Sequence, residues 1–197
     1  MMKTSKLFTF ISLSLLLLCA GCSIFPKNEN IPVTYFDIGA PGEIEGLKQS
    51  PQVDIQDVKT MDPYNERMVF RVSETHIEID EYNRWASSPD EMIRKYFVIA
   101  FNQNDLNKVK LQGDNRLELY VQILCLESDL TKKTVKVTLA VQIKKSLDGN
   151  VVYSEILSEQ QSVDNVTAEK FAETVKNLID KMLISLSSNL IQVSKTK

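Results

Sequence analysis

The sequence predicts an α+β domain, an antiparallel sheet with two amphipathic helices packed on one face. Three patterns carry that expectation. Val135, Val137, Leu139, Val141 and Ile143 alternate with polar residues, as do Leu117, Leu119, Val121 and Ile123, the mark of strands with one buried face. Met92, Ile93, Tyr96, Phe97, Ala100 and Phe101 fall at helical spacing, and so do Phe171, Val175, Leu178, Met182, Leu186 and Leu190. One-sided strands of this kind are the material of antiparallel sheets.

The order begins with a segment of another kind. Lys3 and Lys6 precede Leu7 to Leu18, an apolar run broken only by Thr9, Ser12 and Ser14, and the small residues Ala20 and Gly21 follow before Cys22. A positive start, a short apolar run and small residues are the layout of an export signal. The run is too short to span a bilayer, which takes about 20 apolar residues. Leu18 to Cys22 resembles the lipobox of bacterial lipoproteins, with Cys19 where Leu is usual. The resemblance implies cleavage after Gly21, diacylglycerol on the Cys22 sulfur and acylation of the new amine, with Ser23 favouring the outer membrane, facing the periplasm. Two or three acyl chains hold a protein on a bilayer far more firmly than a single chain does.

Residues 1–21 therefore read as a signal peptide, 22–32 as the lipidated N-terminus and a polar tether, and 33–197 as a single domain. At about 3.5 Å per extended residue, Ser23 to Pro32 reach no more than roughly 35 Å. Removing 1–21 takes two of the 23 basic side chains and none of the 26 acidic ones, so the net charge moves from −3 to −5. With no basic run, that balance argues against nucleic acid as a partner.

Within the domain, Val33 to Ile38 and Val53 to Val58 read as strands, and Gly39 to Ser50 as a loop. Met68 to Val72 and His76 to Asp80 have the spacing of a hairpin. Ser88, Pro89 and Glu91 form a helix start in which Ser88 caps and Glu91 completes a capping box. Leu117 to Cys125, residues 135–143 and Val151 to Ser158 complete the strands, Asp148-Gly149 marks a tight turn, and the last helix begins near Thr167.

Candidate chemistry is sparse. One His and three Cys are too few for a closed zinc site, and His76 near Glu74 and Glu78 reads as an ordinary polar residue. No metal, no cofactor and no catalytic residue is expected. Cys125, placed by alternation on the face of Leu117 and Ile123, reads as a buried inert thiol. Ser154 and Ser158 stand without a His, and Gly39, Gly42 and Gly46 lie in a loop with no helix behind it, so nucleophilic and phosphate-loop chemistry lack their context. The acidic groups Glu43/Glu45, Glu78/Asp80/Glu81 and Asp90/Glu91 read as solvated faces, or for the last pair as partners of a helix dipole.

Val33 to Gly39, Met68 to Arg71, the run Tyr82-Asn83-Arg84-Trp85-Ala86 and the long last helix follow the order seen in the ABC-type transport auxiliary lipoproteins, the family that includes the third component of the paraquat-inducible system. The chain resembles that family over nearly all of residues 33–197, departing where Ser87 and Ser88 stand in place of an acidic residue and Pro. The resemblance implies a non-enzymatic subunit beside a mammalian-cell-entry (MCE) domain protein and an ABC transporter that move lipid between two membranes, with a ring of copies as one arrangement. It also marks Tyr82, Arg84 and Trp85 as a family signature or partner contact. Trp85 reads alternatively as core, wedged between sheet and helix. Two other roles stay open at this point: a lipid-binding carrier, and an envelope-assembly or peptidoglycan-synthase activator.

Overall fold

A mixed seven-stranded sheet, two helices and the core between them make up the computed structural model, which describes residues 31–44, 47, 50, 51, 53–102 and 116–195. The strands are β1 (Thr34–Phe36), β2 (Val53–Thr60), β3 (Arg67–Arg71), β4 (Ile77–Trp85), β5 (Leu117–Asp129), β6 (Thr134–Lys145) and β7 (Val151–Ser162). The helices are α1 (Pro89–Asn102) and α2 (Ala168–Lys195). Val33–Lys197 form one compact unit.

The antiparallel sheet expected from the alternation is not what forms. The sheet order is β1-β4-β3-β5-β6-β7 with β2 on β5, and three pairings, β1 with β4, β2 with β5 and β3 with β5, are parallel. Alternation reports that one face of a strand is buried and carries no information on the direction of its neighbour. Direction follows from the connections, and β2 reaches β5 through β3, β4 and α1, long enough for a parallel return. The parts linked directly, β3-β4 and β5-β6-β7, are antiparallel.

β5 is the centre of this arrangement. One edge pairs with β6 along its whole length; the other takes β2 from Leu117 to Ile123 and then β3 at Ser128 and Asp129. The inward side chains of β5 and β6, Leu119, Ile123, Leu126, Val135, Val137, Leu139 and Ile143, are buried under the helices. Both helices lie side by side on that face: the Tyr96 hydroxyl of α1 donates to Asp180 Oδ1 of α2 at 2.6 Å. The stripes of both helices are buried as their spacing requires, with Phe101 partly covered. α2 has 28 residues, about 42 Å at 1.5 Å per residue, so a single helix crosses the whole width of the sheet.

Two local features depart from simple alternation. Between Ile123 and Cys125 the β5–β6 register shifts, so Leu124 is an extra residue and the parity of the strand reverses. Leu126 and Ser128 then point inward and Cys125 pairs with Thr138 on the helix-free face, opposite to the face expected for it. In β4, Arg84 opposes Arg67 while Ile79 opposes Val69, so the intervening residues of β4 bow outward. Asp80 stabilises the bow by accepting from the backbone N–H groups of Tyr82 and Asn83 and from the Asn83 amide at 2.8–2.9 Å. The Asp148-Gly149 turn is wider than a two-residue hairpin: it occupies residues 146–150, with Gly149 at φ 68° and Lys145 N–H donating to the Asn150 carbonyl.

The β5–β6 turn holds a carboxylate in the same way. Asp129 Oδ1 accepts from Thr131 N–H, Thr131 Oγ1 and Lys132 N–H at 2.6–2.9 Å. Burial opposes ionisation of Asp129, but these hydrogen bonds and the nearby Lys132 ammonium outweigh it and hold the carboxyl below its usual range. A depressed value adds stability that is complete above the ordinary aspartate range and is lost as pH falls through the folded value. Asp129→Ala is expected to cost about 1 kcal/mol near pH 7, the scale of a lost cap. In urea unfolding, the gap between wild type and variant should narrow below about pH 4, near the unfolded carboxyl's value; a gap that stays constant down to pH 2 would refute this assignment.

Candidate functional site

The helix-free face of the sheet carries the ionisable and exposed groups. At the end of β5 a polar concavity of about 480 Å³ opens among β3, β5, β6 and β7. Arg71 grips Glu127 in a fork, with Nε to Oε1 at 2.6 Å and a terminal nitrogen to Oε2 at 2.8 Å, and donates again to the carbonyls of Ser73 and Glu74. The Tyr64 hydroxyl donates to Glu127 Oε2 at 3.2 Å. The Arg71–Glu127 ion pair holds the guanidinium in its charged form, and burial beside Cys125 and Glu127 pushes the Tyr64 phenol well above its usual range. Glu127, only 8% exposed at its side chain, is thereby neutralised in place.

Cys125 faces this cluster. Burial pushes its thiol up, the Glu127 carboxylate adds to the rise, and the Tyr64 hydrogen bond, Lys136 and Arg71 offset part of it. The thiol is held as S–H, a poor nucleophile at neutral pH. The central charges of the concavity are therefore held as a hydrogen-bonded pair. Among the described residues no group of three or more His, Cys, Asp or Glu is arranged to hold a metal ion.

The three residues of the Tyr82–Trp85 run have different settings. Trp85 is 2% exposed and meets Phe171 of α2 edge-on, centroids 5.3 Å apart, and Phe171 also meets Phe70. It is a core residue that ties β4 to the start of α2. Tyr82 sits on the bow of β4 and is 42% exposed. Arg84 lies on the opposite face from Trp85, aligned with Tyr35 of β1 on one side and Arg67 of β3 on the other. Its Nε is buried without a hydrogen-bond partner. Cys22 and the residues around it lie outside the described residues. His76 is exposed in the β3–β4 turn, where its carbonyl accepts from Val72 and Ser73 N–H.

Sequence patterning does not announce the Arg71–Glu127–Tyr64 cluster or the Tyr35–Arg84–Arg67 row. Each joins strands far apart in the chain through β3–β5 or β1–β4 parallel pairs, which alternation does not reveal. The available signal was a charged residue, Glu127, inside an otherwise apolar strand. Among the described residues no helix is long and apolar enough to cross a membrane.

No family model and no curated protein matches the chain. Among the solved structures that match, two illustrate the shared fold. One is a Xanthomonas campestris protein assigned to DUF330, with a TM-score of 0.63, 13% identity, and coverage of 85% of this chain and 91% of that one. The other is described as an uncharacterized protein, with a TM-score of 0.59, 13% identity, and coverage of 82% and 97%. At this identity the similarity establishes architecture alone, an α+β domain that occurs as nearly the whole of both neighbours.

The electrostatics of Cys125 give a direct check. Thiol labelling of the folded wild type at pH 7.5 should run at least about tenfold slower than labelling of the urea-unfolded chain, whose thiol titrates near 8.5. Glu127→Gln removes the carboxylate that raises the thiol and frees Arg71 to lower it, so labelling should accelerate several-fold. Equal rates in wild type and Glu127→Gln would show that exposure alone controls the thiol.

Proposed function

We propose that the protein is an outer-membrane-anchored periplasmic lipoprotein that acts by binding, as the accessory subunit of an MCE/ABC-type intermembrane lipid transport system. The observation that carries the reading is the order of the chain: a short apolar export segment, Ala20-Gly21-Cys22, ten residues of linker with Lys27, Asn28, Glu29 and Asn30 at its middle, and then a folded α+β unit. The resemblance of residues 33–197 to the auxiliary lipoproteins supplies the transport role, and the bilayer is the partner the anchor provides. The paired charges around Glu127 and the raised Cys125 thiol favour a binding role over an enzymatic one.

The reading is tested by purifying the native protein from detergent-solubilised membranes, measuring the mass of its N-terminal peptide and identifying what comes with it. A diacylglyceryl, acylated Cys22 with a copurifying MCE-domain protein is the expected result. An unmodified peptide retaining residues 1–21 would overturn the anchor. An acylated protein that brings a wall synthase would replace the transport role with the assembly role, and one that brings stoichiometric phospholipid and no protein would replace it with the carrier role.

A further inference from the structure

We infer that the row Tyr35–Arg84–Arg67, with Tyr82 beside it, is a seat for phospholipid phosphate on the bilayer that carries the anchor; the inference rests on the membrane-anchored reading above.

The row spans three strands on the helix-free face: Tyr35 is the register partner of Arg84 in β1, and Arg67 is its partner in β3. Like charges directly opposite each other on paired strands are destabilising. A carboxylate between them would remove the repulsion, yet among the described residues neither guanidinium makes a hydrogen bond or an ion pair. Asp37, Glu66 and Glu81, the nearest carboxylates in the chain, are exposed and engage neither arginine. Arg84 Nε is moreover buried without an acceptor, the kind of donor that is costly to leave unpaired. Elsewhere the protein satisfies such a group at once, as Arg71 with Glu127. Two arginines at paired strand positions, with no anion of their own, can together offer donors to the oxygens of a phosphate.

The surroundings select a lipid phosphate. Tyr35 is 62% exposed, Tyr82 42% and Val33 37%, so the cations stand among apolar and amphipathic groups of the type that settle at a membrane interface. Val33 opens the folded unit directly after the tether, which keeps it within roughly 35 Å of Cys22. A net charge near −5 gives the domain as a whole no attraction to anionic lipid, so approach requires a local contact of this kind. Bound in this way, the domain would stand on the bilayer by its β1 edge.

The test uses the full lipidated protein in vesicles of phosphatidylethanolamine and phosphatidylglycerol. Tyr35, or as a control the 65%-exposed Leu147 in the β6–β7 turn, is replaced by the photoreactive p-benzoylphenylalanine. After flotation and irradiation, lipid adducts at position 35 should exceed those at position 147 about tenfold, and Arg67→Gln with Arg84→Gln should remove the excess. Blue-shifted emission from the single Trp85 verifies that each variant is folded. Flotation with equal adducts at both positions, or an excess indifferent to the arginine changes, overturns the seat and leaves the anchor standing. Flotation with an unmodified Cys22 overturns the anchor while the adduct ratio still decides the seat. Failure to float overturns both.

Discussion

Everything in the folded unit depends on how β5 is held. It is the only strand described with three partners, β6 along one edge and β2 then β3 along the other, and its inward side chains form the floor on which both helices rest. The extra residue at Leu124 makes that possible. Before the bulge the strand buries Leu117, Leu119, Val121 and Ile123 and pairs with β2; after it, reversed parity buries Leu126 and Ser128 and turns Cys125 and Glu127 to the other face. A bulge also increases local twist, which suits a strand whose neighbour on one edge changes midway.

This division separates the apolar core from the ionisable face. The helix side holds a continuous apolar core joined to the edge of the sheet by Trp85 and Phe171. The other side holds ionisable groups at two kinds of place. Near the end of β5 they neutralise one another: Arg71 with Glu127, and Tyr64 donating to the same carboxylate. Near the β1 edge they do not, and Arg67 faces Arg84. The first arrangement contributes to the fold, because removing one partner of a largely buried pair strands the other charge. The second leaves the structure with a local cost that an external anion would relieve.

Much of this is legible in the chain alone. The helix stripes at Met92–Phe101 and Phe171–Leu190 appear where their spacing put them, because an amphipathic helix is specified by residues three and four apart and needs no knowledge of its partner. The β3–β4 hairpin was legible for the same local reason. Strand direction was not, since Val53 to Thr60 would show the same alternation beside a parallel or an antiparallel neighbour. Alternation puts Cys125 on the wrong face because it assumes an unbroken period of two, and nothing in Ile123-Leu124-Cys125 announces an extra residue. The site row was invisible for a related reason: Tyr35, Arg67 and Arg84 come from three strands spread over about fifty residues, and only the register aligns them. Arg84 itself was marked by the Tyr82–Trp85 run, while its two neighbours carried no mark at all.

The shape of the β1 edge determines what kind of contact can form there. An exposed edge strand invites another chain to pair with its backbone. β1 offers only Thr34–Phe36, with Pro32 just before it and Gly39 at φ 68° soon after, so the path bends away from strand geometry at both ends. Backbone pairing across three residues supplies too few hydrogen bonds to hold a partner. The side chains carry the edge instead: Tyr35 stands out from the short strand, Tyr82 from the bow of β4 that Asp80 fixes, and Arg84 lies between a tyrosine and a second arginine. A blunted backbone with projecting amphipathic side chains discourages strand addition, so any contact at this edge is made by side chains and not by backbone pairing.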